Sequence, residues 1–249
     1  MHHDELVEAA RLLRGAKRVA VMTGAGVSAE SGVATFRGAG GLWEGRPIEE
    51  VATPQGFAAD PERVWRFYDE RRCKLAEVRP NPGHDVLARW QERFSSYTLI
   101  TQNVDGLHQA AGAHDVLELH GAIWWVRCWS CGREREERAV PIVPLLPRCK
   151  VCGGLERPAV VWFGEMLPED VFAAATRAAL AAEVLVVAGT SAVVYPAAGL
   201  VEMTVSGGGR VIEVNPEASA LAHLAHVALR GPSGVILPQL DALLDGAPG

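Results

Sequence analysis

The run from Gly24 to Gly38, Gly-Ala-Gly-Val-Ser-Ala-Glu-Ser-Gly-Val-Ala-Thr-Phe-Arg-Gly, constrains the fold of this chain more than any other stretch. It follows the apolar segment Arg18-Val-Ala-Val-Met-Thr23, so the glycines stand where a strand turns into a helix. Gly24, Ala25 and Gly26 make the turn, and Ala29 fills the third position of a dinucleotide fingerprint. Small residues there let the backbone approach a pyrophosphate, which then lies on a helix N-terminus. An ordinary dinucleotide fold continues into a second strand whose terminal acid, about 20 residues on, holds the ribose. Here the chain instead reads Gly38-Ala-Gly-Gly-Leu-Trp-Glu-Gly-Arg-Pro47, which cannot be a strand. Gly24 to Trp43 is therefore read as a segment that covers a cofactor.

Other apolar runs end in polar loops. Ser96-Tyr-Thr-Leu-Ile-Thr101 leads into Gln102-Asn-Val-Asp-Gly106, and Leu117-Glu-Leu-His-Gly121 places a histidine after a strand. Val184-Leu-Val-Val-Ala188 precedes Gly189-Thr-Ser191, and Val211-Ile-Glu-Val214 precedes Asn215-Pro-Glu217. Strands alternating with helices imply an α/β fold, a Rossmann-like parallel sheet with helices on both faces. Two insertions interrupt it. The expected division is a nucleotide-binding domain over 1–38, 94–121 and 159–249, a helical insertion over 39–93, and a cysteine-bearing module over 122–158. Pro61 to Ala76 has apolar residues at helical spacing, and Asn81-Pro-Gly-His84 opens another helix.

A net charge of −6 and the lack of a basic run speak against nucleic acid as a partner. No uninterrupted apolar run is long enough to span a membrane, and no signal peptide is visible at Met1-His-His-Asp-Glu5. Four of the five cysteines are paired closely, as Cys128-x2-Cys131-x17-Cys149-x2-Cys152, with Cys73 apart. That spacing is expected of a four-thiolate zinc site, not of a disulfide framework. Four thiolates leave zinc no open position, so the metal is read as one structural ion closing a segment too small to fold alone. The compartment expected is the reducing cytoplasm.

In order and register, these motifs resemble the sirtuins, the NAD-dependent lysine deacylases, over residues 18 to about 240. The resemblance implies that NAD is consumed as a co-substrate. Acyl-lysine protein or peptide, as the substrate, would yield nicotinamide, 2′-O-acyl-ADP-ribose and free lysine. It places His120 as the general base toward a ribose hydroxyl, a role suited to a group titrating near neutrality. Asn103 and Asp105 become catalytic residues that also grip the nicotinamide and ribose region, beside Gln102 and Val104; turn formation alone would also favour Asn-x-Asp-Gly. Gly24, Ala25, Gly26, Ser28, Phe36, Arg37 and Trp43 become cofactor contacts. So do Gly189, Thr190, Ser191, Asn215, Pro216, Glu217 and Ser233. The other histidines, His84 and His108 included, are read as structural.

The same resemblance makes Val161, Phe163 and Gly164, in Val160-Val-Trp-Phe-Gly-Glu-Met-Leu-Pro168, a peptide-pairing segment. Tyr68 and Arg71 are three apart on the expected helix and share a face. A phenol and a guanidinium together can grip a carboxylate, although a solvated salt-bridging face would carry the same pair. Phe67-Tyr-Asp-Glu-Arg-Arg72 and the small Ala52 are similar to the class III sirtuins that remove succinyl and malonyl groups. The expectation is a deacylase for dicarboxylic acyl-lysines with deacetylation as a second activity, monomeric or weakly oligomeric. The alternatives are a plain deacetylase, a mono-ADP-ribosyltransferase, or more remotely a zinc-ribbon nucleic-acid binder.

Overall fold

Six parallel strands form the larger sheet: β1 (Arg18–Thr23), β2 (Ser96–Thr101), β3 (Leu117–Glu118), β7 (Val184–Ala188), β8 (Arg210–Val214) and β9 (Val227–Leu229). The computed structural model describes residues 3–35 and 47–245; Phe36, Arg37 and Trp43 lie outside the described residues. The strands lie in the order β3-β2-β1-β7-β8-β9. Taken by sequence within this sheet, that is the doubly wound Rossmann order, whose switch point falls between β1 and β7. Thr23 and Ala188, the last residues of those two strands, are in register.

Both faces are covered, which is why the strands are continuous apolar runs rather than alternating ones. On one face Val19, Val21, Val186 and Ile212 pack against α1 (His3–Gly15), α6 (Pro82–Arg93) and α10 (Ser233–Asp245). Leu6, Ala9, Ala10 and Leu13 form the buried stripe of α1 at helical spacing. On the other face Ala20, Met22, Leu185 and Val187 meet α8 (Glu169–Ala181) and α9 (Gly199–Ser206). Among the described residues no helix is long and apolar enough to cross a membrane.

A second core lies beside this sheet. It joins α3 (Ile48–Val51), α4 (Pro54–Ala59) and α5 (Pro61–Ala76) to an antiparallel sheet ordered β5-β4-β6. Its strands are β4 (Gly121–Cys128), β5 (Glu134–Glu136) and β6 (Glu156–Val160). Side chains Phe57, Val64, Trp65, Ile123, Val126 and Trp162 fill it. Three of the helices start alike, with a capping side chain before a proline: Thr53-Pro54, Asp60-Pro61 and Asn81-Pro82. The cap satisfies a free N–H, and proline occupies the first turn, where its missing donor costs nothing. Arg72 ties α5 to the smaller sheet: fully buried, it donates to the carbonyls of Ile123, Glu137 and Ala139.

The helical insertion does not pack as one unit. Val86, Leu87 and Trp90 of α6 belong to the large-sheet core, whereas α3 to α5 belong with the antiparallel sheet. Periodicity shows that each helix has one apolar face; it does not show which neighbour covers that face.

Candidate active site

The loops leaving β1 and β7 meet at the switch point with almost no space between them. The Gly26 N–H donates to the Gly189 carbonyl at 2.7 Å. A Cβ on Gly26 would lie 2.7 Å from that same oxygen, and one on Gly24 2.7 Å from the Thr190 Cβ. Gly189 has φ +61, and a Cβ there would fall 2.2 Å from the Val27 nitrogen. Loop-to-loop packing alone therefore demands these glycines, in addition to any approach of a pyrophosphate. The expected helix after the turn is a single turn, α2 (Gly26–Ala29), with Ala25 as its first flanking residue.

Gln102 and Asn215 close the same crevice from either side. Gln102 Nε2 donates to Thr190 Oγ1 at 3.1 Å, and Asn215 Nδ2 to the Thr190 carbonyl at 3.2 Å. Ser191, Pro216 and Glu217 are exposed on the rim. The buried acid of this region is Glu213, which pairs with Arg230. Ser233, buried at the start of α10, has an Oγ with no partner among the described residues.

Asn103 and Asp105 lie deeper, beside Ser28. Ser28 Oγ–H donates to Asp105 Oδ2 at 2.8 Å, and Asn103 Nδ2 donates to Ser28 Oγ at 3.2 Å and to the Gly24 carbonyl. Asn103 Oδ1 is buried and has no partner among the described residues. Burial pushes the Asp105 carboxyl up, while the Leu107 N–H, the Ser28 hydroxyl and the charge of Arg71 pull it back. The indole of Trp124 donates to the Asp105 carbonyl at 2.7 Å, which fixes the backbone of that loop.

Two histidines read as structural in the sequence reach this network. At the α6 N-terminus, His84 Nδ1 accepts the Asn81 N–H, so the proton sits on Nε2 and points to Ser28 Oγ at 3.3 Å. His108 lies 2.9 Å from Thr23 Oγ1, whose own hydrogen goes to Thr101. Burial lowers both, His84 to about 4 and His108 to about 3, so both are neutral at pH 7. The available signal was Asn81-Pro-Gly-His84, a capping box with histidine where Glu or Gln is usual.

His120 leaves β3 toward the same crevice. Its Nδ1 is 2.9 Å from the Gln102 carbonyl, which can only accept, so Nδ1 carries the proton and Nε2 keeps a lone pair. Burial lowers its pKa, only partly offset by that hydrogen bond. Gly121 allows the turn that follows: at φ +71, a Cβ would sit 2.1 Å from the Ala159 carbonyl. The His120 carbonyl in turn accepts the Val161 N–H at 2.8 Å.

The expected acyl-pocket residues converge. Ala52 and Tyr68 are buried, and the Ala52 carbonyl accepts the Phe163 N–H at 3.0 Å. Val104 and Trp162 belong to the same core. Phe163 is 44% exposed at the rim, followed by Gly164 at φ +87. Arg71 leans over the rings of Phe67 and Tyr68, 5.5 and 5.9 Å from their centroids, and is desolvated enough that burial lowers its pKa.

The four cysteines gather at the far end of β4, with all Sγ atoms within 4.8 Å of one another. Cys131 and Cys149 are 3.8 Å apart and Cys128 and Cys152 3.4 Å. A tetrahedron with Zn–S bonds of about 2.3 Å has edges of about 3.8 Å, so the set fits one zinc ion. The fit to NAD rests on the crevice at the switch point and on two buried polar atoms without a partner among the described residues, the acceptor Asn103 Oδ1 and the Ser233 hydroxyl.

Comparison with known proteins places this architecture. Residues 24–196 match the model of the Sir2 family. A protein from Aquifex aeolicus named NAD-dependent protein deacylase is 51% identical, covering 83% of this chain and 87% of that protein. NAD-dependent protein deacylase 2 of Pyrobaculum aerophilum is 50% identical over 93% of this chain and 92% of that one. A crystal structure of a Sir2 homologue in complex with NAD superposes with TM-score 0.90 at 45% identity, covering 98% of this chain and 94% of that one. A Sir2 protein bound to a myristoylated histone peptide superposes with TM-score 0.78 at 31% identity, covering 97% and 96%. The chain belongs to the Sir2 family.

Proposed function

We propose that the acyl groups this NAD-dependent protein deacylase removes best are dicarboxylic, succinyl or malonyl, with acetyl as a second substrate. NAD is its co-substrate, and bound NAD supplies the glycosidic bond whose cleavage makes the ribose carbon electrophilic. Asn103 Oδ1 offers an unfilled acceptor to the nicotinamide-ribose end. Asp105 is held by Ser28 and the Leu107 N–H. Neutral His120, anchored through Nδ1, presents Nε2 to take a proton from a ribose hydroxyl. Acyl-lysine peptide is the partner substrate, in keeping with the histone-peptide complex of the Sir2 neighbour. Its backbone would pair at Val161, Phe163 and Gly164, a contact tolerant of sequence. Cytoplasmic placement and a monomeric or weakly associating state remain part of this reading.

The observation that carries the acyl preference is the buried Tyr68 hydroxyl with the half-buried Arg71 guanidinium beside it, 5.9 Å from its ring centroid. The Tyr68 oxygen accepts from Trp162 Nε1 at 2.9 Å, and its own O–H meets no acceptor among the described residues. A buried phenol donor beside a desolvated guanidinium is a site for an anion. An acyl chain ending in a carboxylate can accept from the phenol beside that positive charge; an acetyl group brings no charge to place there. The test is NAD-dependent release of succinyl and acetyl from matched lysine peptides by wild type and Tyr68→Phe. A hydrogen bond to a charged group contributes roughly 1.5–3 kcal/mol, so kcat/KM for succinyl should fall about tenfold or more relative to acetyl. An equal fall in both activities would remove Tyr68 from acyl selection.

A further inference from the structure

We infer that Trp162, clamped by the Arg157–Glu165 ion pair, is a specificity-determining positioning residue: its indole N–H aims the Tyr68 hydroxyl at the acyl carboxylate. The inference rests on the dicarboxylic reading of the acyl pocket and names the residue that makes the phenol a directed donor.

A phenol oxygen accepts hydrogen bonds and donates one through a hydroxyl whose hydrogen stays near the ring plane, on one side or the other. Trp162 Nε1–H, a donor only, occupies an acceptor site on Tyr68 Oη at 2.9 Å in a fully buried contact. With that site filled, the Tyr68 hydrogen takes the in-plane position away from the indole, on a ring over which Arg71 places a positive charge. The two rings lie tilted, 6.4 Å between centroids, so the contact is made at the polar tips rather than by stacking.

The indole is held in place over its ring face. Arg157, itself 3% exposed, lies over the Trp162 ring at 3.4 Å from the centroid. It makes a two-pronged pair with Glu165, Nη1 to Oε1 at 2.6 Å and Nη2 to Oε2 at 2.9 Å. Glu165 Oε2 also accepts the Trp162 backbone N–H at 2.8 Å. One ion pair thus fixes both the backbone and the ring plane of Trp162. Phe57 closes the remaining side, 5.5 Å between centroids. Planar bidentate geometry and a stacked guanidinium are properties of Arg that Lys does not reproduce. The clamp's hydrogen bond to Tyr68 is made by the indole N–H.

Trp162→Phe keeps an aromatic ring in the same cage and deletes the donor. The experiment measures kcat/KM for succinyl-lysine and acetyl-lysine peptides of the same sequence, at saturating NAD, in wild type, Trp162→Phe, Tyr68→Phe and the double variant. The expected result is a fall in the succinyl-to-acetyl ratio of roughly fivefold for Trp162→Phe. The double variant should lose no more than Tyr68→Phe alone, because the two residues act through one hydroxyl. A merely structural role would lower both activities together and leave the ratio alone. If Trp162→Phe proves unstable, Glu165→Gln, which leaves the indole in place and loosens the clamp, should move the ratio the same way by a smaller factor. A selective Tyr68→Phe with an unmoved ratio in Trp162→Phe and Glu165→Gln overturns the inference and leaves the dicarboxylic reading standing. An unselective Tyr68→Phe overturns that reading, and this inference with it.

Discussion

His120, the proposed base, is held in its neutral form, because burial penalises the imidazolium more than the Gln102 carbonyl favours it. A base needs its lone pair, so the acid limb of the activity profile should lie below the ordinary histidine value of 6.5, with activity lost as pH falls through the lowered pKa. His120→Ala should remove about 10²–10⁴ of the rate while the protein stays folded and binds NAD, as read by turnover beside thermal melting and cofactor titration. Near-normal turnover in the folded variant would take His120 out of the mechanism. Arg71 behaves differently from Tyr68. Its charge acts on Asp105 as well as on Tyr68, so replacing it should change the surroundings of both residues at once. Three-residue spacing in the sequence describes only a shared helix face and does not show this second contact of Arg71. Tyr68→Phe is therefore the cleaner probe of acyl selection.

At the scale of elements, β4 connects the two chemistries of the molecule. Its first residue, Gly121, follows His120, and its last, Cys128, is one of the gathered thiols. Midway, Trp124 holds the Asp105 carbonyl while Arg72 and Arg138 lie over its ring at 5.2 and 5.3 Å. The cysteine-bearing segment from Trp129 to Gly154 is largely exposed, with few buried side chains of its own, so it gains its stability from the metal that closes it. Stripping zinc with a chelator, or Cys128→Ser, should lower the melting temperature and then impair the active site through β4. Metal analysis of freshly purified protein should return one zinc per chain, and its absence would sink the assignment. The spacing of the cysteines made this module legible in sequence. The placing of α6 was not, because its apolar stripe of Val86, Leu87 and Trp90 would suit either core.

For the molecule as a whole, buried titratable groups tie stability to pH. His84 and His108 sit at about 4 and about 3 in the fold, against 6.5 when exposed. Their depressed values mean that the unfolded chain binds protons the folded one refuses. This stability is present above pH 6.5 and is lost as pH falls toward the folded values. Glu118 has the opposite sign: raised from 4.5 to about 7 by burial, it costs stability as pH rises through that range. Two histidines outweigh one glutamate, so the melting temperature should drop as pH is lowered from 6.5 to 4.5. A flat profile over that interval would mean that the histidines are not buried as neutral groups.

The sequence alone determined the elements whose cause is local. A run of apolar residues buried on both faces makes a parallel strand, a proline after Asn, Asp or Thr starts a helix, and paired cysteines at fixed spacing imply a metal. The motif resemblance carried the family and the expected roles of His120, Asn103 and Asp105. Tertiary structure alone decided everything that depends on two distant segments meeting. It set the demand for glycine at 26 and 189, imposed by each loop on the other. It also set the reach of His84 from the start of α6 to Ser28, across 56 residues, and of Trp162 to Tyr68, across 94. Hydrogen bonds and desolvation are set by separations of a few ångströms in space, and spacing along the chain carries that information only within a single helix, strand or turn.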